Sequence, residues 1–303
     1  MIVSDTKQQA GLRGELRRQE PMAAHTSWRV GGPAARFYRP ADIEDLAAFL
    51  AGLEAQTPVH WTGLGSNLLV RDGGLPGVVI CTSGVLKNLV FLDGCRLRVE
   101  AGLPLPQLAR QCARQGLRGA EFLCGIPGTV GGGLAMNAGA LGGEIWDLVE
   151  SVETVDREGD LHRRGPADFE VAYRKVVGPM NEWFVAATLK LAPGDSVESL
   201  ELIKQHLARR GATQPTQWPN AGSVFRNPPG DYAARLIEAA GLKNHCVGGA
   251  CVSEKHANFI INTGTASAAD IEALIGKIER QVKAEFGIQL VREVKIIGEA
   301  NGA

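Results

Sequence analysis

No run of apolar residues in this chain approaches the length of a membrane-spanning helix, and no span is expected. Neither charge is in excess: 32 Lys and Arg stand against 33 Asp and Glu, a net charge of -1. That balance offers no basic footprint for a nucleic acid. The six cysteines, Cys81, Cys95, Cys112, Cys124, Cys246 and Cys251, form no CxxC pair and have no His at ligand spacing. The pattern argues against zinc, or any metal site, and against a disulfide framework; free core thiols are the expectation. The opening MIVSDTKQQAGLRGELRRQE lacks the apolar core of a signal peptide, so the expected location is the cytoplasm. Two phosphate templates are also missing. GLGSNL, Gly63 to Leu68, has leucine where GxGxxG needs its last glycine, and GxxxxGK[ST] occurs nowhere.

What the chain has instead is glycine. GIPGTVGGGLAMNAGALGG, Gly125 to Gly143, places glycine at eight of nineteen positions and contains no Lys, Arg or His. Glycine is entropically costly to order, so such density serves either a flexible linker or a backbone that a ligand approaches closely. Linkers intersperse Ser and charge, whereas here the partners are Ile126, Val130, Leu134, Met136 and Leu141, which are residues for burial. WTGLGSNLLVRDGG adds a second glycine-rich turn, with Ser66 and Asn67 as side-chain donors. Two neutral cradles suit a pyrophosphate between two large groups, as in a dinucleotide.

At 303 residues and 45% hydrophobic content, the chain is long enough for two or three domains. After a polar arm, ARFYRP reads as a strand and ADIEDLAAFLAGLEAQ as a helix. Short strands follow at VHWT, LLV, GVVIC and RLRVEAG, then an amphipathic helix LPQLARQCARQG and the glycine stretch, read as a loop. VESVETVD and LHRR flank a turn as a hairpin. EWFVAATLKLAPGD is a strand ending in a turn, taken as a domain boundary. Beyond it come helices at VESLELIKQHLARRG, DYAARLIEAAG and Ser267 to Phe286, strands around GGACVS and ANFIINT, and a closing strand LVREVKIIG. Without a βαβ rhythm the class is α+β.

GxGSNLLVRDxG followed by GIPGTVGGxxxMNAGAxGGE resembles the UDP-N-acetylenolpyruvoylglucosamine reductases. The likeness extends to HTSWRVGGPA at His25, AYR at Ala172, NAGSVFRNP at Asn220, KHANFIIN at Lys255 and REVKIIG at Arg292. It implies a two-part FAD-binding domain of the vanillyl-alcohol oxidase/p-cresol methylhydroxylase type plus a C-terminal α+β substrate domain. The expected division is an arm over 1–24, FAD subdomains over 25–85 and 86–194, and a substrate domain over 195–303 whose last strand packs back on the FAD domain. No insertion follows AYR, so the chain is similar to the shorter family type without a tyrosine-bearing substrate loop.

The resemblance also implies an activity in peptidoglycan precursor synthesis. An enolpyruvyl ether of a sugar nucleotide is reduced to a lactyl ether, with NADPH as hydride source and non-covalent FAD as carrier. Ser66 and Asn67 occupy the turn where many oxidases of this fold carry a histidine for covalent flavin attachment. Carried over by motif, Ser223 is the proton donor, Glu293 the carboxyl partner and Arg174 the cation for the substrate carboxylate. The cofactor residues are Gly63, Gly65, Ser66, Asn67, Leu68, Gly125, Gly128, Thr129, Gly131, Gly132, Asn137 and Gly139. Tyr173, Gln214, Asn220, Arg226 and Asn227 are the substrate contacts, and a monomer is the expected assembly. Strand alternation in LVREVKIIG sets Glu293 on one face with Val291 and Ile297 and gives it a raised pKa. His256 reads as structural. The chain departs from the family after Arg174, where x-Ser-x-Phe is usual and Val176 and Gly178 stand here. Two other readings remain open: a different FAD-dependent oxidoreductase of the same fold, and a flavin- or nucleotide-binding module without catalysis.

Overall fold

The computed structural model describes residues 11–301, so the first ten residues of the expected arm lie outside it. The chain forms two compact units and passes repeatedly between them: residues 11–17, 36–63 and 77–206 in one, residues 18–35, 64–76 and 207–301 in the other. Within the expected arm, Glu15–Pro21 is a strand. It is the edge strand of its sheet and mostly exposed, which is why its sequence is polar.

Two larger sheets are built chiefly from first-unit residues, beside three two-stranded ladders among the described residues. One has the order Glu15–Pro21, Pro33–Arg39, Leu75–Cys81, Val59–Thr62, the last pair running parallel with Trp61 opposite Ile80. Helix α1 (Ile43–Ala51) starts at Asp42, whose carboxylate accepts from the Asp45 amide, and buries Ile43, Leu46, Phe49 and Leu50. They pack with Tyr38, Val78 and Ile80. The other sheet is antiparallel, in the order Leu161–Arg164, Val149–Val155, Trp183–Lys190, Arg96–Glu100, Leu89–Leu92. Its central strand buries Val185, Ala186, Ala187 and Leu189. Helix α2 (Leu105–Arg114) buries Leu105, Leu108, Ala109 and Cys112, the i, i+3, i+4, i+7 stripe its sequence announces.

The glycine stretch, expected to be a loop, contains a helix, α3 (Val130–Met136). Three successive glycines cost a helix roughly 1 kcal/mol each relative to alanine. Neighbours crowd two of them: a Cβ on Gly131 would stand 2.9 Å from that of Ala101, and one on Gly133 would stand 3.1 Å from Leu105. Thr129 caps the start, and Asn137, left-handed at φ 43°, closes the end.

Helix α4 (Ser196–Thr213) carries the chain into the second unit. There α5 (Ala233–Ala239) and α6 (Ala268–Phe286) pack with Trp28, Leu69, Val224, Phe225 and Val252. A reciprocal Ser267–Asp270 capping box starts α6 and left-handed Gly287 ends it. The strand Cys246–Val247 pairs with Ala250–Val252, which pairs with Ile260–Asn262. Cys246 and Cys251 lie directly opposite each other in that ladder and form a disulfide, against the expectation of free thiols. Sequence spacing does not reveal which cysteines a hairpin sets side by side.

The closing strand is shorter than LVREVKIIG suggests, comprising only Lys295–Ile297, parallel to Leu68–Val70. Glu293 lies before it, in irregular chain, so alternation along a strand does not set its surroundings. The Glu293 amide donates to the Val224 carbonyl at 2.8 Å instead. No helix among the described residues is long and apolar enough to cross a membrane.

Candidate functional site

In the second unit the turn Gly65–Asn67 follows from backbone conformation. Gly65 is left-handed at φ 61°, and a Cβ there would sit 2.0 Å from the His25 carbonyl oxygen. The Gly65 carbonyl accepts from the amides of Ser27 and Leu68, whereas the amides of Gly65, Ser66 and Asn67 bond to no described residue. Successive unbonded N–H groups in such a turn make an anion-binding nest. The rest of the motif is structural. The Asp72 carboxylate accepts the first two amides of α6, from Ala268 and Ala269 at 3.0 and 2.9 Å, and Arg71 grips Glu272 through two 2.8 Å bonds. Leu68 belongs to the ladder with Lys295.

The same unit brings Ser223 and Glu293 to one place. An isolated bridge pairs Phe225 with Arg292, and the Glu293 amide bonds to Val224, the residue after Ser223. Asn67 reinforces it, its amide donating to the Glu293 carbonyl at 3.1 Å. The Asn220 side chain is spent on the loop: it donates to the carbonyls of Pro215 and Trp218 and accepts from the Gly222 amide at 2.9 Å. Asn220 therefore builds the turn into left-handed Gly222, φ 73°. Buried Asn258 then clamps the next segment, accepting from the Phe225 amide at 3.0 Å and donating to its carbonyl at 2.8 Å. Between these fixed points the Ser223 hydroxyl makes no hydrogen bond to any described residue. The Arg226 guanidinium likewise has no hydrogen bond or ion pair among the described residues, and its Nε is buried without a partner. Unsatisfied buried donors are rare enough to require an explanation. Asn227 accepts from Ala233 at the start of α5, and Gln214 accepts from Arg210. His256 is structural: its Nδ1 accepts from the Asn258 amide, its ring packs edge-on to Phe259, and burial holds its pKa below the usual imidazole value.

In the first unit the glycine stretch does different work from the nest. The amides of Val130, Gly131 and Gly133 are already taken, by the carbonyls of Leu103, Ala101 and Thr129. Gly128 and Thr129 are held too, the first through its carbonyl by Leu105 and the second as the cap that receives the Gly132 amide at 3.4 Å. Gly125 ends a short 3₁₀ turn. A Cβ on Gly63 would strike the Thr129 hydroxyl at 2.3 Å. Gly132 is the least crowded of the three helical glycines: a Cβ there would meet only Thr129 Oγ1, at an ordinary contact distance of 3.7 Å. Its missing side chain leaves room for something outside the chain, against a cavity of 290 Å³ that it lines with Trp61, Trp183 and Phe184.

Arg174 stands at the tip of the hairpin that pairs Glu170–Ala172 with Lys175–Val177. It is left-handed, φ 55°, where glycine or asparagine is the usual occupant. Its guanidinium donates to the carbonyls of Asn137 at 3.1 Å and Gly139 at 2.6 Å and lies 5.1 Å from the Tyr173 ring centre. Buried Asn137 is in turn fixed through bonds to Glu144 and Trp146. The departure after Arg174 has a packing reason: a Cβ on Gly178 would fall 2.3 Å from Phe169, whose ring packs with Trp146 and Phe184. Sequence reasoning missed Asn258, Asp72 and Trp61, none of which carries a local signal beyond its motif.

Comparison with known proteins agrees with these features. Residues 34–165 match a family described as FAD binding domain, and residues 214–297 match UDP-N-acetylenolpyruvoylglucosamine reductase, C-terminal domain. The unbonded amides at Gly65–Asn67 fit the phosphates of a flavin dinucleotide, and FAD is the cofactor. The UDP-N-acetylenolpyruvoylglucosamine reductase of Methylococcus capsulatus is 58% identical over 96% of each chain. That of Alkalilimnicola ehrlichii is 60% identical over 95% of this chain and 96% of the relative. The crystal structure of UDP-N-acetylenolpyruvylglucosamine reductase (MurB) from Thermus caldophilus superposes with a TM-score of 0.78 at 36% identity, covering 94% of this chain and 99% of that one. On motif, fold and near full-length identity, the chain belongs to the UDP-N-acetylenolpyruvoylglucosamine reductase family.

Proposed function

We propose that this protein reduces the enolpyruvyl ether of UDP-N-acetylglucosamine enolpyruvate to the lactyl ether of UDP-N-acetylmuramate, with FAD held non-covalently and NADPH as the source of reducing equivalents. The observation that carries the reading is the unbonded Ser223 hydroxyl, fixed between Gly222 and the Asn258 clamp beside Glu293. Bound flavin supplies the hydride. The chain's own residues have the remaining tasks. Ser223 Oγ gives a proton to the carbon next to the carboxylate. Serine is a weak acid, but an enolate-like carbon is a strong base, and a cation near the hydroxyl lowers the cost of the alkoxide left behind. Arg226, three residues on and free of internal partners, is that cation or a holder of the sugar nucleotide's phosphates. Glu293 hydrogen-bonds the reacting group, and Arg174 presents a planar fork to a carboxylate. The amides of Gly65, Ser66 and Asn67 bind the cofactor's pyrophosphate.

The test is stopped-flow on the two half-reactions of Ser223→Ala. Flavin reduction by NADPH stays near the wild-type rate, while reoxidation by the enolpyruvyl substrate falls by at least about 100-fold, the usual share of a positioned acid. Equal slowing of both halves would remove the donor role.

A further inference from the structure

The five-stranded antiparallel sheet of the first unit ends on the strand Leu89–Leu92, and this edge lacks the devices that keep a sheet edge from pairing. It reads LVFL, without charge, proline or bulge, and Val90, Phe91 and Leu92 are 50%, 36% and 43% exposed. The opposite edge of the same sheet, Leu161–Arg164, reads LHRR, and the edge strand Glu15–Pro21 of the neighbouring sheet is polar. Apolar side chains on an open edge gain by being covered with a further strand.

Backbone geometry fixes how such a strand bonds. The Glu100 amide donates to the Asn88 carbonyl at 3.0 Å, and Val90 and Leu92 stand opposite Arg98 and Arg96. By the alternation of an antiparallel ladder, Val90 and Leu92 turn their N–H and C=O groups toward those partners, and Leu89 and Phe91 turn theirs to the open edge. A second copy of this edge, run antiparallel about a twofold axis, bonds only by setting outward residues against outward residues. The overlapping registers are then Leu89 against Phe91, or one of these residues against itself. Only the first also sets Lys87 of each copy opposite Asp93 of the other. Both residues are exposed, and neither has an ion pair among the described residues. In that register Val90 meets its own counterpart, so apolar contacts at the centre are flanked by opposite charges at each end. We propose that Leu89–Leu92 is a dimer interface, on which a second copy of this chain extends the sheet across a twofold axis at Val90, in place of the expected monomer. One short strand is small beside the about 20–30 residues a side of a stable complex, so the dimer is reversible, forming over roughly 1–100 μM.

Sedimentation velocity of the full-length, flavin-loaded protein across that range is the test, and it finds monomer passing into dimer. Val90→Lys, on the solvent side of the sheet, sets like charges against each other at the axis and leaves monomer throughout. Lys87→Asp or Asp93→Lys alone weakens the dimer by about fivefold, and the two together restore it, because the exchanged pairs are again complementary. In a Cys95→Ser background, Val90→Cys cross-links to its counterpart under copper phenanthroline, since the Cα atoms of such a pair stand about 4.5 Å apart. Leu92→Cys, which faces Asn88 in this register, does not cross-link. Monomer at every concentration, a dimer indifferent to Val90→Lys, or cross-linking through position 92 and not 90 would overturn the inference.

Discussion

Arg174 shows how one residue is held against its own preference. An L-residue in the left-handed region costs roughly 1–2 kcal/mol, and the hairpin tip imposes that conformation on an arginine. Arg174→Ala and Arg174→Gly both lose the guanidinium, but only the alanine retains the backbone cost. Urea unfolding is therefore expected to find Arg174→Gly more stable than Arg174→Ala by about 1 kcal/mol, the reverse of the order in a helix. Both variants lose turnover. An alanine variant at least as stable as the glycine one would show that the turn relaxes on substitution. Ser223 illustrates the complementary case: its conformation is borrowed from neighbours, through Gly222 and Asn258, so that its hydroxyl stays uncommitted.

Among the elements, α3 separates two reasons for glycine. Gly131→Ala places a methyl 2.9 Å from Ala101 and is destabilising. Gly132→Ala adds only an ordinary contact with Thr129 and favours the helix, so flavin-stripped protein is expected to gain up to about 1 kcal/mol in denaturant unfolding, while FAD binds more weakly. Unaltered FAD affinity would take Gly132 out of the cofactor site. The start of α6 depends on a residue far away in sequence. Asp72→Ala removes the acceptor of two amides and is expected to cost about 1–2 kcal/mol, read as a lowered Tm. The amphipathic spacing of α2 and a helix over Ser267 to Phe286 were legible in the sequence because their signals lie within a few residues. Asp72 was not legible as a cap, because it is 196 residues from Ala268.

For the whole molecule, the cysteine inventory gives a direct check. Cys81, Cys95, Cys112 and Cys124 are free and Cys246 is joined to Cys251. In denaturant, a thiol reagent is expected to titrate four groups per chain before reduction and six afterwards. Six before reduction would mean that the hairpin carries its cysteines unlinked. The same whole-chain view explains why the closing strand was overread: LVREVKIIG alternates convincingly, but the Phe225–Arg292 bridge and the Glu293 bond to Val224 draw its first half away from the Leu68–Val70 partner.

The sequence by itself determined the α+β class, most helices and strands, the family and its cofactor. Those rest on local periodicity, caps and ordered motifs, each complete within a short window. Only the tertiary structure decided the rest: that the nest of free amides lies at Gly65–Asn67 while those of Val130, Gly131 and Gly133 are spent, that Glu293 bonds to Val224, the residue after Ser223, and that Cys246 faces Cys251. The reason is physical. A backbone N–H becomes available, or a side chain is left unpaired, through what distant segments have already taken, and residue type along the chain does not record that.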